Sequence, residues 1–330
     1  MKLQSVGIAG LGRYLPSTRV TNADLEKVVE TTDEWIFQRT GIRERRRASD
    51  DEISSSLAVK ASQQALEDAG ITPEEIGLVI VATATPDQPF PATAVQVIED
   101  LGCVNAGGWD LSAACSGFVF AGQAATQYVA TGAHEAVLVI GVEILTRIVD
   151  YTDRATCVLF GDGAGAAIFT SFERAGRLEY LAGSTKARPD RTAIMQPGGG
   201  SRHPASHESV ESRLHYLKMD GRRTFKSAVR TFAEMLEQSV AEYGGLSELG
   251  MVVPHQMNQR IMEAVADRLD ISIDLFYTNV VKYGNTSAAS VPIAMREAID
   301  DGRFESLKGQ LVCLCAFGAG LSYGHILVRV

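Results

Sequence analysis

The run NTSAASVPIAMREAIDDG, Asn285 to Gly302, leads into the strand-like QLVCLCAFG, Gln310 to Gly318, and it has an earlier counterpart. CSGFVFAGQAATQYVATG, Cys115 to Gly132, also opens on small and polar residues and continues as an apolar helix-like run. It closes on glycine and leads into EAVLVIG, Glu135 to Gly141. Both steps span 17 residues, and a glycine after a helical run supplies the left-handed residue that ends a helix. Two further echoes accompany this one. SLAVKASQQALEDAG with ITPEEIGLVIVATATPD (from Ser56) matches FAEMLEQSVAEYGG with LSELGMVVPHQ (from Phe232). Each reads as amphipathic helix, glycine end, short acidic linker and apolar strand. FGDGAGAAIF (Phe160 to Phe169) resembles AFGAGLSYGHIL (Ala316 to Leu327). The expected fold is therefore α/β with two similar halves, residues 1–174 and 175–330, whose strands are buried on both faces. The polar segment from Ser184 to Asp220, rich in Gly, Pro and His, reads as a surface excursion early in the second half.

The bulk properties narrow the class. With 330 residues, 45% of them hydrophobic and 22% charged, the chain can bury a large core. No apolar run approaches the roughly 20 residues a membrane helix needs, and AVLVIGVEIL (Ala136 to Leu145) is strand-sized and interrupted by Glu143. The opening MKLQSVGIAGLGRYLPS lacks a secretory pattern, so the expected location is cytoplasmic. Five cysteines with no C-x-x-C pair argue against a disulfide framework and a structural zinc site, and leave room for one reactive thiol. A net charge of −9 argues against general nucleic-acid binding. The basic run RTGIRERRR (Arg39 to Arg47) has two readings, a solvated face or a local phosphate site.

The duplication makes Cys115 and Asn285 equivalent, each at a helix N-terminus, and puts His255 just past an apolar strand in MVVPHQMNQR. Ligands in open α/β sheets gather beyond the carboxyl ends of strands. Cys115 is either an inert small core residue or a nucleophile. Ala113, Ala114, Ser116 and Gly117 leave room for close approach, and a helix N-terminus favours thiolate and offers N–H groups to an oxyanion. Asn285 is either an N-cap or a side-chain donor into the same cleft. His255 is either structural or catalytic. His203, His207 and His215 lie in the polar excursion, His134 in a turn and His325 in the last strand. GDGAG (Gly161 to Gly165) lacks the phosphate-loop and dinucleotide patterns and reads as close backbone packing.

DLSAACSGF, VPHQMNQRI, YGNTSAASVP and FGDGAGAA together resemble β-ketoacyl-acyl-carrier-protein synthase III, the initiating condensing enzyme of type II fatty-acid synthesis. The likeness extends from GIAGLGRYLPSTRVTNADLE to AFGAGLSYGHILVRV. It implies a thiolase fold, two duplicated halves in five α-β-α-β-α layers. It also implies that Cys115 takes an acyl group from an acyl-CoA, acetyl-CoA being the expected primer. Malonyl-acyl carrier protein then loses carbon dioxide, and its enolate attacks the acyl-enzyme. His255 and Asn285 would hold the thioester oxygen, and the N–H groups of Cys115 and Ala319 would form the other oxyanion hole. Phe317 would supply an apolar wall. This chemistry calls for no metal and no redox cofactor. Thiolases need a second cysteine where Phe317 stands, with Cys315 two residues earlier, and elongating condensing enzymes have histidine at Asn285. A specialised condensing enzyme of secondary metabolism and a silent acyl-binding scaffold are the alternatives.

The same resemblance assigns the binding surfaces. In TTDEWIFQRTGIR, which opens on a capping-box pattern from Thr31 to Glu34, Trp35 would stack on adenine and Arg39 would hold the base or phosphates. Thr31 and Arg154 would line that entrance, and Asn258 and Arg260 would flank the pantetheine tunnel. Arg222, Arg223, Lys226, Arg230, Arg260 and Arg268 are the candidates for docking an acidic carrier protein. Phe90 matches a position that closes the acyl pocket of the other subunit in a homodimer, and its bulk suggests a short primer.

Overall fold

The computed structural model describes residues 3–330. Its main sheet has nine strands: β1 (Val6–Tyr14), β2 (Leu78–Ala82), β3 (Gly107–Leu111), β4 (Ala136–Ile144), β5 (Asp162–Ser171), β6 (Glu179–Asp190), β7 (Leu249–Pro254), β8 (Leu311–Gly318) and β9 (Gly320–Arg329). The spatial order is β7-β8-β9-β6-β1-β5-β4-β2-β3. Outward from β1, the strands run β5, β4, β2, β3, with two antiparallel pairings followed by two parallel ones. Outward from β6 the order is β9, β8, β7, with the same two antiparallel pairings and then a parallel one. A parallel bridge from Val252 to Phe276 stands where β3 stands in the first set. The two sets meet through a single register pair, Gly7 with Glu179.

Seven helices matter for the site: α1 (Asp33–Thr40), α2 (Ser54–Ala69), α3 (Thr93–Leu101), α4 (Gly117–Ala130), α5 (Gly221–Val240), α6 (Gln259–Leu269) and α7 (Ser290–Asp300). Period-two alternation in the strands explains the layers. Leu78, Ile80, Val137 and Val139 join Val312, Leu314 and Ala316 in one central core with α4 and α7. Val79, Val81, Leu138 and Ile140 face the opposite way, toward α2 and α3. Leu311, Cys313, Cys315 and Phe317 face α5 and α6. The result is five layers, with α4 and α7 between the two sets of strands.

FGDGAG packs β5 on α7: a Cβ added at Gly165 would lie 2.7 Å from Pro292 Cγ and 2.8 Å from Ile293 N. Four expectations need correction. Ser184–Asp190 belongs to β6 and pairs with β9, so the excursion begins after Asp190. The cap of α1 is Thr32, whose hydroxyl accepts from Trp35 N at 3.1 Å, rather than Thr31. In RTGIRERRR, Arg45 is neither solvated nor a phosphate ligand. Its buried guanidinium donates to Asn22 Oδ1 (2.8 Å) and to Val158 O (2.6 Å). Finally, α4 has 14 residues and α7 has 11, so only their C-terminal ends keep the 17-residue spacing. At the N-terminal ends Ala114 and Ser287, with φ 47° and 49°, each open a 3₁₀ turn before the helix. The counterpart of Cys115 is thus Ala288, and Asn285 lies two residues ahead of that turn.

Candidate active site

A cavity of about 630 Å³ opens between the halves. Its inner end is formed by buried His255, Asn285, Ser287 and Phe317 together with half-buried Cys115 and Ala319. Exposed Arg39, Arg222, Lys226 and Arg260 stand at its solvent end with Trp35 and Asn258. Ile194, Met195, Gln196, Leu217 and Met219 also line it, so the segment read as a surface excursion forms part of the wall.

Cys115 sits in the 3₁₀ turn Ala114–Ser116 that leads into α4. The left-handed φ of Ala114 is uncommon for a residue with a side chain, and such strain persists only where surrounding packing enforces it. Opposite the turn lies the β8–β9 hairpin. A Cβ placed on Gly318 would lie 2.9 Å from Cys115 N and 3.0 Å from Ser116 N, so only glycine allows this approach. Ala319 follows Gly318 in this hairpin and lines the same cavity as Cys115. Across the hairpin, Ser322 Oγ meets Ser116 Oγ at 2.6 Å.

The thiol is not held as thiolate by its helix. Burial pushes it up to about 12, Ser287 opposes the rise and the Glu143 carboxyl adds to it. His255 follows β7, with its N–H bonded to Cys315 O at 2.7 Å and Nδ1 2.6 Å from Ser290 Oγ. Burial pushes its pKa down to about 3, so the ring is neutral. Asn285 is anchored through its backbone to Leu159 O (2.8 Å) and Gly161 N (3.0 Å). Its Oδ1 accepts from Ser287 N at 2.8 Å, which leaves Nδ2 as the free donor of the amide.

Sequence reasoning missed Glu143, Ser287 and Ser290. Glu143 is fully buried at the end of β4 and accepts from Thr85 Oγ1 (2.7 Å), Ser287 Oγ (3.0 Å) and Ala84 N (3.2 Å). Burial raises its pKa to about 7 despite these donors. The signal was a single acidic residue inside an apolar strand.

Of the proposed coenzyme A residues, Trp35, Arg39, Asn258 and Arg260 line the cavity. The guanidinium carbons of Arg39 and Arg154 lie 4.6 and 4.7 Å from the Trp35 ring centroid. Arg154 also donates to Glu30 O at 2.9 Å, and Thr31 Oγ1 is buried away from the cavity wall. Asn258 caps α6 through Arg260 N and donates to Arg39 O at 3.0 Å, which ties α1 to the second half. Of the docking candidates, Arg222, Lys226 and Arg260 reach the cavity mouth. Arg223 pairs with Asp190 and Arg230 with Glu234, while Arg268 is exposed in the last turn of α6. Phe90 is 84% exposed in the single chain. Cys315 is buried off the cavity, and among the described residues Cys115 is the one cysteine on its wall.

Among the described residues no cluster of His, Cys, Asp and Glu is arranged to hold a metal, and no helix is long and apolar enough to cross a membrane.

The layered fold and the sequence that builds it have counterparts among known proteins. Residues 109–185 match the family model for 3-oxoacyl-[acyl-carrier-protein] synthase III, and residues 243–330 match its C-terminal counterpart. The β-ketoacyl-[acyl-carrier-protein] synthase III of Symbiobacterium thermophilum is 46% identical over all of this chain and 99% of its own. That of Caldanaerobacter subterraneus subsp. tengcongensis is 47% identical over 98% of each chain. The crystal structure of 3-oxoacyl-[acyl-carrier-protein] synthase III from Aquifex aeolicus superposes with a TM-score of 0.89 at 42% identity, over 98% of this chain and 100% of the other. The chain belongs to the β-ketoacyl-[acyl-carrier-protein] synthase III family. It is an acyltransferase of the condensing type, acting at the initiating condensation of fatty-acid synthesis.

Proposed function

We propose that the chain moves an acyl group from acyl-CoA, with acetyl-CoA as primer, onto Cys115 and joins it to malonyl carried on acyl carrier protein. The supporting observation is the convergence of Cys115, His255, Asn285 and Ala319 at the inner end of one cavity. In the first step the sulfur adds to the thioester carbonyl, coenzyme A leaves as its thiol with the cysteine proton, and the acyl group stays on sulfur. The N–H groups of Cys115 and Ala319 hold the oxyanion, an arrangement that the Gly318 contact permits.

In the second step the bond from the malonyl carbon to its carboxylate breaks. The electron pair moves onto the thioester oxygen, where His255 and the free Nδ2 of Asn285 donate. The enolate carbon then attacks the acyl carbonyl and expels the Cys115 sulfur. Donors fixed before the charge develops stabilise the transition state more than the ground state. Phe317 gives the departing carboxylate an apolar neighbour.

The wider assignments rest on the same reading. Trp35, with Arg39 and Arg154 beside it, takes the adenine end of coenzyme A, and Asn258 and Arg260 flank the pantetheine arm. Arg222, Lys226 and Arg260 at the mouth, with Arg223, Arg230 and Arg268 behind, receive the acidic carrier. The exposed Phe90 is suited to closing the acyl pocket of a second subunit in a homodimer. Residues 1–174 and 175–330 are two copies of one ancestral half, and the enzyme works in the cytoplasm.

Asn285→Ala separates the two steps. The acyl adduct on Cys115 is expected to form at close to the normal rate, while malonyl decarboxylation falls on the order of 10²-fold, as for loss of one oxyanion donor. Equal slowing of both steps would reject this division of labour.

A further inference from the structure

We propose that Ser290 is a positioning residue that fixes the tautomer of His255, keeping the ring proton on Nε2 and thereby making the imidazole a donor. The inference follows from counting protons at one buried hydroxyl. Ser290 Oγ, at the first residue of α7, is almost fully buried and has two partners, Gln256 N at 3.3 Å and His255 Nδ1 at 2.6 Å. The Gln256 N–H can only donate, so it occupies a lone pair of the hydroxyl. The hydroxyl's own proton needs an acceptor, and among the described residues the ring nitrogen is the acceptor within hydrogen-bond reach. Ser290 therefore donates to Nδ1. A neutral ring that accepts at Nδ1 carries its proton on Nε2.

The opposite assignment would send Nδ1–H into Oγ and leave a buried hydroxyl proton without a partner, which native interiors avoid. The surroundings hold this geometry in place. The His255 N–H is bound to Cys315 O, and the Gln256 side chain donates to Pro254 O and Tyr277 O while accepting from Asn279 N. With backbone and Nδ1 both fixed, Nε2 is the remaining polar atom of a ring that lines the cavity. Ser290 thus acts through His255 and not on substrate. The consequence for the reaction rests on the reading of His255 as a thioester-oxygen donor: the hydroxyl serves decarboxylation and not acyl loading.

The test uses the full chain labelled with ¹⁵N-histidine, with the His255 signals assigned by their loss in His255→Gln. The expected spectrum has a protonated, pyrrole-type Nε2 and an unprotonated, pyridine-type Nδ1 at neutral pH. The reverse pattern overturns the proposal, and this measurement needs no variant of Ser290 to fold. In Ser290→Ala, decarboxylation of malonyl-acyl carrier protein is expected to fall on the order of 10-fold to 10²-fold, with acyl loading of Cys115 unchanged within about twofold. Unchanged decarboxylation, or equal slowing of both steps, overturns it. Should His255→Gln itself decarboxylate at the normal rate, the donor role of His255 fails, while the spectrum still judges the tautomer separately.

Discussion

Cys115→Ala is expected to yield no 3-oxoacyl product, a loss on the order of 10⁴-fold or more in condensation, while still decarboxylating malonyl-acyl carrier protein. The expectation follows from where the two sets of groups are anchored. Condensation needs an acyl carbonyl held beside the enolate, and the Cys115 sulfur is the nucleophile on the cavity wall that can hold it. The donors for decarboxylation are fixed by contacts that do not involve sulfur: Ser290 on the His255 ring, Ser287 N on the Asn285 amide, and Leu159 O on the Asn285 backbone. Alanine removes one atom at a partly exposed position, so the fold is expected to survive with a change below about 1 kcal/mol. Separate assays of carbon dioxide release and of product check this. Condensation within about tenfold of normal would contradict the role of the thiol. Carbon dioxide release falling in step with condensation would contradict the separation of the two sites.

Gly318→Ala carries the second large effect. The added carbon would sit 2.9 Å from Cys115 N, 3.0 Å from Ser116 N and 3.2 Å from Ala113 O. All three are backbone atoms, so no side-chain rotation relieves the clash. Either the hairpin or the nucleophile turn must retreat, and retreat separates the N–H of Ala319 from that of Cys115. Acyl loading is expected to drop about 10²-fold to 10³-fold, with a stability loss of about 1–3 kcal/mol from overpacking. Loading kinetics and thermal unfolding measured on the same preparation check the pair. Normal loading in a destabilised protein would mean that the hairpin does not form the oxyanion hole.

Much of this was readable from residue order, for identifiable reasons. The layers follow from alternation in strands such as β2 and β4, whose odd and even residues enter different cores. The second copy of helix and strand was visible because both glycines, Gly132 and Gly302, end helices with a positive φ. That same glycine match misplaced the other end. It matched Cys115 to Asn285, because spacing from one end does not reveal that one helix is a turn shorter. Cys115 and His255 were accessible to pattern reasoning, since one opens a helical segment and the other follows a strand, whereas Asn285 was singled out by a pairing with Cys115 that the structure does not keep. Glu143 and Ser287 were not, because the bond between them joins residues 144 positions apart. Ser290 was hidden for a related reason: its partner lies just past the end of β7, 35 residues earlier. The thiol showed the limit of the helix-terminus argument. A terminus lowers a thiol pKa, but here burial outweighs it.

The most direct measurement is intact-protein mass spectrometry of the wild-type chain mixed with acetyl-CoA, followed by addition of malonyl-acyl carrier protein. One acetyl group should appear on the protein, map to the peptide holding Cys115, and vanish as acetoacetyl-acyl carrier protein forms. A protein that takes up no acyl group from a range of short primers, or one whose adduct persists after the malonyl carrier is added, would contradict the account.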